Sequence, residues 1–540
     1  MAKSKLLLYL FLCILTGILL WLAWPPKHLT ILIFFAFVPL LLAGKFISEE
    51  KEHNTSLRLF LFTFSTFVIW NFLSTFWIRY ATFSGAIMTV ILNALLMTFP
   101  FMLYHKVRYF AGKNMAYMAL PLFWIGFEYF HLNWDLSWPW MSLGNAFATK
   151  ISWIQWYEYT GILGGTLWIW IINLSVFRTL EYFIDNGYQF KQKRIFFIGI
   201  SSLLVWFLIP CIISKSIKIE ESRFTGKNVV IVQPNIDPYN EKFEEDSYQK
   251  QINKLIDLSE SAIDKNTILV VWPETAITNS IDEATLNTNS VILYIRSFIR
   301  KYPRLKLLTG LDSYKFFTKG EKISPTARLY LPDSQYYDNH NSALMLDSSS
   351  EFQLYYKSRL VPGVEKMPYP KFFKFIEKYA INLGGTSGSL GKQDKPTVFV
   401  INTQIIAAPA ICYESVYGDH LGNFVMAGAN VIVIMTNDGW WRNTDGHKQH
   451  FDYAALRAIE LRKDIIRSAN TGISGYFNAK GEIIARTKYW EPAVIKKNLK
   501  INNTLTFYAR YGDYLGIIAS MLSGIIILWG LLMWVNGRKK

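Results

Sequence analysis

The sequence predicts two fold classes in one chain: an all-α membrane part and an α/β layered domain outside it. Three observations carry this reading. Of 540 residues, 51% are hydrophobic and only 18% charged, and the apolar excess is concentrated before about Ser214 and after Tyr514. Basic residues fall on every second connection between the apolar stretches. In the middle of the chain the composition turns mixed, with short β-branched runs alternating with amphipathic ones. Such apolar mass excludes a disordered chain. Three cysteines, Cys13, Cys211 and Cys412, exclude a disulfide scaffold.

A spanning helix needs about 20 mostly apolar residues. Stretches of that kind run Leu6–Trp24, Leu29–Leu42, Leu59–Ile78, Ala86–Tyr104, Met115–Phe130, Gly161–Val176, Ile195–Ile213 and Leu515–Val535, the second and fifth being short or interrupted. One set of connections and ends holds Lys3 and Lys5, then Lys45, Lys51 and Arg58, then Lys106, Arg108 and Lys113, then Arg178, Lys191, Lys193 and Arg194, and finally Arg538, Lys539 and Lys540. The alternate connections hold only Lys27, Arg79 and Lys150. Basic residues on alternate connections are the positive-inside signature. The expectation is eight spans with both termini cytoplasmic: residues 1–214 carry seven, residues 215–512 form an extracytoplasmic domain, and residues 513–540 carry the eighth. The net charge of +16 is then a consequence of topology and calls for no nucleic acid. The first span has no small-residue cleavage site, and Leu12 is too large for the position before a lipoprotein-type Cys13, so it reads as an uncleaved anchor.

Glu128 lies in an apolar helix, where an ionisable group is either functional or a packing partner; packing is the preferred reading. Trp138, Trp140, Trp153 and Trp156 read as an interfacial aromatic belt.

In the outer domain, Asn228–Gln233, Thr267–Trp272, Leu305–Gly310, Thr397–Ile401, Gln404–Ala408 and Asn430–Met435 read as buried strands. Glu245–Ile263 and Gln449–Arg462 read as helices, which makes the domain α/β layered. Ser324–His340 is rich in turn residues and reads as a loop or a pair of irregular strands.

Three segments carry chemistry. Cys412 follows a strand and precedes Tyr413-Glu414-Ser415, where a helix is expected to begin. A thiol at a helix N-terminus is favoured as thiolate, and backbone N–H groups there meet an oxyanion. The competing reading is a buried, inert cysteine. Val270-Val271-Trp272-Pro273-Glu274 places a carboxylate at the exit of an apolar strand, and Tyr355-Tyr356-Lys357 places a lysine among apolar neighbours. Together they offer nucleophile, proton acceptor and cation for acyl transfer. Singly, Glu274 reads as a cap and Lys357 as a solvated loop residue.

Trp272-Pro273-Glu274, Lys357-Ser358-Arg359-Leu360-Val361-Pro362 and Ile411-Cys412-Tyr413-Glu414, in this order, resemble the three signatures of the carbon–nitrogen hydrolase (nitrilase) superfamily. Joined to eight spans, with the domain inserted between the seventh and eighth, the whole chain resembles the bacterial apolipoprotein N-acyltransferases. Thr436-Asn437-Asp438-Gly439-Trp440-Trp441, Arg457–Glu460 and Arg467–Gly472 fit the resemblance as well. Two departures stand out: Gly363-Val364-Glu365-Lys366-Met367-Pro368 replaces the family's Gly-Glu-Phe-Val-Pro, and Phe243 stands where a tryptophan is common.

The resemblance implies an αββα sandwich and a two-step reaction. Glu274 takes the thiol proton, and Cys412 attacks an ester carbonyl of a membrane phospholipid. Lys357 and the Tyr413 backbone N–H stabilise the oxyanion, with Glu365 and Glu414 in support. The thioester then passes to the α-amino group of a diacylated apolipoprotein. It also implies a monomer in the bacterial inner membrane. Phe243, Tyr369, Phe372, Phe373, Trp440 and Trp441 are candidates for the entrance taken by lipid chains. His447 and His450 lack a visible third ligand, so no metal and no cofactor are expected. The rival readings are a membrane-bound amidase acting on a small amide and a transporter with an outer binding domain.

Overall fold

The computed structural model describes residues 3–50, 54–187, 193–244, 247–369 and 389–537. Phe372 and Phe373, together with Lys51, Lys191 and Arg538–Lys540 of the charge pattern, lie outside the described residues. The chain divides into two units, Met1–Lys218 with Tyr511–Lys540, and Ile219–Arg510.

In the first unit, seven helices among the described residues are long and apolar enough to cross a membrane. They are built on α1 (Lys3–Ala23), α2 (Val38–Glu49), α3 (Thr55–Thr75), α4 (Phe83–Asn133), α5 (Tyr157–Asn186), α6 (Lys193–Ser216) and a last helix, Tyr514–Gly537. The interrupted second stretch is a short 3-10 turn at Thr30–Phe34 followed by α2. The fourth and fifth expected stretches both fall inside α4, which counts 51 residues but leaves helical geometry at Gly112, φ 83°. Only glycine takes that conformation without steric cost. The ring centroids of Phe101 and Trp124, twenty-three positions apart, lie 6.0 Å from each other. A straight helix would separate them by about 34 Å. The two arms of α4 therefore fold back side by side.

Basic residues that the sequence assigns to one side gather at one end of this bundle. Lys5 and Arg58 both pair with Glu50, Lys45 and Lys113 with Asp185, and Arg108 and Lys113 with Glu181. Glu128 is buried and engaged: it accepts from Trp124 Nε1 at 2.9 Å, the Leu143 N–H at 2.7 Å and Thr166 Oγ1 at 2.7 Å. It thus fastens the irregular segment after α4, as a packing role requires. Trp140 departs from the expected interfacial belt. It is fully buried and stacks on Trp138, because the segment that carries it folds back into the bundle.

Among the described residues the second unit holds fourteen strands: β1 (Arg223–Gln233), β2 (Thr267–Val271), β3 (Ile277–Asp282), β4 (Lys306–Phe316), β5 (Arg328–Tyr330), β6 (Gln335–Leu346), β7 (Phe352–Tyr356), β8 (Phe399–Val400), β9 (Ile406–Ile411), β10 (Val431–Thr436), β11 (Asp464–Ala469), β12 (Gly475–Phe477), β13 (Ile483–Arg486) and β14 (Ala493–Ile501). One sheet runs β14-β1-β2-β4-β6-β5, with β3 on β4 and β7 on β6; the other runs β13-β12-β11-β10-β9-β8. The centres, β1-β2-β4 and β9-β10-β11, are parallel. That explains why β2 and β10 read as unbroken apolar runs: central parallel strands are covered on both faces.

Helices α7 (Tyr248–Glu260) and α8 (Ser290–Arg300) bury Ile252, Leu255, Ile295 and Ile299 against the outer face of the first sheet. Gly418–Met426 and Asp445–Leu461 serve the second. The inner faces meet, as shown by Ser468 Oγ donating to the Val232 carbonyl at 2.8 Å. The layering is helix, sheet, sheet, helix. The turn-rich Ser324–His340 segment forms the hairpin β5–β6, the second of its two expected forms.

Candidate active site

All three sequence-predicted chemical residues stand at strand exits. Glu274 follows β2, Lys357 directly follows β7 and Cys412 directly follows β9. Ligands and catalytic groups of open α/β sheets collect at such C-terminal edges. Cys412 has φ 49° and Thr275 φ 46°, a left-handed backbone that costs a side-chain-bearing residue energy and persists where function holds it.

Lys357 is the hub. Its Nζ donates to Glu365 Oε1 at 2.7 Å and to Glu274 Oε1 at 3.1 Å. The Asn341 amide donates to the same two carboxylates, at 2.8 Å to Glu274 and 3.1 Å to Glu365. The Asn437 N–H reaches Glu274 Oε2 at 3.1 Å, and the Val361 N–H reaches Glu365 Oε2 at 2.8 Å. Burial alone would lower the Lys357 ammonium pKa, but Glu274 and Glu365 outweigh it and hold the group charged well above the usual lysine range. A permanent cation is what an oxyanion needs.

The surroundings of Cys412 correct one expectation. No α-helix begins at the thiol. Cys412–Val416 is a five-residue 3-10 turn, and the helix starts only at Gly418. Without an aligned helix behind it the thiol gains no dipole, and burial, followed by the Glu274 charge, pushes its pKa up despite the opposing pull of Lys357. The resting sulfur is thus a thiol that needs a base, not a preformed thiolate. Alkylation of Cys412 by iodoacetamide is expected to accelerate about tenfold per pH unit up to about pH 9. A rate plateau near neutral pH, measured by mass spectrometry, would contradict this.

Glu414 fixes the elbow. Fully buried, it accepts from Tyr355 OH at 2.6 Å, the Ser358 N–H at 2.6 Å, the Arg359 N–H at 3.2 Å and the Ile411 N–H at 2.8 Å, with His420 Nε2 at 3.2 Å. Burial opposes its charge, yet His420, Tyr355 and the backbone donor hold its pKa below the usual range. Glu414→Gln turns an amide toward donors and is expected to cost about 2–4 kcal/mol of stability. Thermal unfolding of the purified protein would read it, and an unchanged midpoint would remove Glu414 from this role.

Several residues to which the sequence assigned no part in the site gather there. Behind Cys412, Asp438 accepts from Thr436 Oγ1 at 2.7 Å and Arg467 Nη2 at 2.5 Å, with His450 Nδ1 at 2.8 Å. His450 Nε2 in turn lies 3.2 Å from the Cys412 carbonyl and 2.9 Å from Ser415 Oγ. Cys412, Asp438 and His450 offer ligand atoms within 4.8 Å of one another, a spacing suited to a metal ion. Asp438 is already engaged by a cation and two further donors, which fits a hydrogen-bonded brace better than a ligand set. Buried Lys242 and Asp312 also belong to the site. Lys242 Nζ donates to the Glu274 carbonyl at 3.1 Å and to Thr275 Oγ1 at 2.6 Å.

The expected entrance residues divide. Phe243 and Trp440 stack with centroids 6.3 Å apart, and Tyr239 sits edge-on to Trp440 at 5.4 Å, donating to its carbonyl at 2.6 Å. Trp441 instead packs on His450 at 5.7 Å, on the brace side of the nucleophile. Tyr369 is half-buried with φ 46°.

A thiol, a carboxylate and a charged lysine at the strand exits of a four-layer sandwich define a class. The carbon–nitrogen hydrolase family model matches residues 229–505, and the chain belongs to that family. The model of the apolipoprotein N-acyltransferase N-terminal domain matches residues 16–175, which narrows the class to the apolipoprotein N-acyltransferases. Among curated relatives, the apolipoprotein N-acyltransferase of Chlorobaculum tepidum is 28% identical, covering 96% of both chains. That of Thermotoga maritima is 26% identical over 96% of this chain and 94% of its own. Among solved structures, an amidase from Nesterenkonia sp. is 13% identical, covering 52% of this chain and 92% of that one with a TM-score of 0.34.

Proposed function

We propose that this lipoprotein N-acyltransferase works through an acyl-thioester on Cys412. Glu274 takes the thiol proton as sulfur attacks an ester carbonyl of a membrane phospholipid. Lys357 and the Tyr413 N–H stabilise the tetrahedral oxyanion, Glu365 holds Lys357, and Glu274 returns its proton to the departing lysophospholipid. The α-amino group of a diacylated lipoprotein then attacks the thioester, leaving an amide. The observation that carries this is the Lys357 ammonium held between Glu274 and Glu365.

The membrane follows from magnitude. Each buried methylene contributes about 0.8 kcal/mol, so drawing a sixteen-carbon chain into water would cost on the order of 12 kcal/mol. Both substrates carry such chains, so the site opens at the bilayer surface. Gly112 supports eight spans, since the arms of α4 count separately. The reading places residues 215–512 on the periplasmic side of the inner membrane, both termini in the cytoplasm, and treats the chain as a monomer. Phe243, Trp440 and Tyr369 are proposed to line the lipid entrance.

The test is acyl-enzyme trapping. Purified protein is given phospholipid radiolabelled in a fatty acyl chain, without acceptor. The expected result is a labelled protein band released by neutral hydroxylamine and discharged by a diacylated lipopeptide. Active protein that never takes up label would sink the thioester mechanism and bring a soluble-amide hydrolase forward.

A further inference from the structure

The second half-reaction poses a proton-counting problem. An α-amino group has an ordinary pKa near 8, so at neutral pH it arrives largely as an ammonium. Forming the amide removes two protons from nitrogen. Glu274 accounts for one: it accepts it from the tetrahedral intermediate and delivers it to the departing Cys412 sulfur. The other needs a second acceptor. Glu365 is committed to Lys357, Asn341 and the Val361 N–H.

Asp312 meets the requirement. In β4 it pairs directly with Asn341 of β6. Cross-strand partners share a face, and the Asn341 amide touches both Glu274 and Glu365. Asp312 is only 8% exposed. Yet no hydrogen-bond donor among the described residues meets its carboxyl. The charged groups facing it are Lys242 from the loop after β1, Glu274 after β2, and Lys357 and Glu365 after β7. Lys242 directs two of its protons elsewhere, to the Glu274 carbonyl and Thr275 Oγ1.

We propose that Asp312 receives the acceptor's α-ammonium group and takes the first of its protons. The inference rests on the acyl-thioester reading of Cys412. The carboxylate forms an ion pair with the ammonium and accepts one proton, leaving a neutral amine. The amine nitrogen bonds to the thioester carbonyl carbon, and Glu274 takes the second proton. The carbon–sulfur bond then breaks as that proton passes to sulfur, and Asp312 releases its own proton to solvent. Burial, the largest influence, pushes the Asp312 carboxyl up to about 7. A base of that strength is matched to an amine near 8.

The experiment separates the half-reactions in the full-length protein, comparing wild type with Asp312→Asn and Asp312→Glu. Loading is measured as hydroxylamine-labile label from acyl-labelled phospholipid, and discharge by adding a synthetic diacylated lipopeptide. Discharge by Asp312→Asn is expected to fall at least about thirtyfold at pH 6.5 while loading changes less than about threefold. The defect should shrink as pH rises, because solvent then deprotonates the amine, moving the discharge midpoint from about 7 toward about 8. Asp312→Glu should recover part of the rate. Equal losses in loading and discharge, or a discharge profile unchanged by Asp312→Asn, overturn the proposal. Wild type that never loads would instead overturn the thioester reading beneath it.

Discussion

Cys412→Ala is expected to abolish both loading and transfer, with residual turnover lower by four or more orders of magnitude. Removing the nucleophile of a covalent enzyme typically costs on the order of 10⁶ in rate. Among the described residues no substitute is offered: Cys13 and Cys211 belong to the helical unit, Ser415 Oγ is spent on the Cys412 carbonyl and Thr436 Oγ1 on Asp438. The alanine variant should keep its fold, because the elbow is held by Glu414 and His450 through backbone contacts that the sulfur does not share. Single-turnover assays with labelled phospholipid would read the loss. Residual loading above about one part in a thousand would assign the nucleophile elsewhere.

Lys357→Met is expected to lower the loading rate by at least about 10³. Loss of one oxyanion donor costs roughly 3–4 kcal/mol of barrier. This lysine does a second thing, since among the described residues it is the only cation within hydrogen-bond reach of both Glu274 and Glu365. Without it the two carboxylates share one neutral amide donor, Asn341, and one of them must take up a proton. If that one is Glu274, the base is lost along with the oxyanion donor. Lys357→Arg should not rescue, because the bulkier planar guanidinium has no room where Lys357 is 1% exposed. A loss under tenfold would move the oxyanion role to backbone donors alone.

The strand that places Glu274 was legible because it is buried on both faces: Leu269–Val271, like Val229–Val232 and Val431–Met435, is apolar without a break, whereas β7, which places Lys357, is half-exposed and was not among the expected strands. Glu274 and Cys412 stood out as polar or reactive groups ending such runs. β6 was legible only as one of two alternatives, a loop or an irregular strand, for the opposite reason. Its Asp338-Asn339-His340-Asn341-Ser342 run is buried but faces polar partners, so it carries the composition of a turn. Asn341 and Asp312 come to Glu274 through sheet register and Lys242 through the loop after β1, and no local pattern encodes either. The Asp438–His450–Arg467 brace joins a strand exit, a helix and another strand, and His450 alone suggested only a stray ligand. The expected helix at Cys412 failed because Tyr417, extended at φ −96° and ψ 103°, ends the turn after five residues.

Glu414 joins β9 of one sheet to the peptide just after β7 of the other. Glu274, the proposed base, and Lys357 are thus supplied by strands translated first, and the thiol by a strand translated later. The first sheet itself is closed by β14, nearly the last strand made. On the proposed mechanism a growing chain therefore carries no activated sulfur. Ester cleavage would wait for the finished sandwich, and the membrane would be spared until synthesis is almost complete.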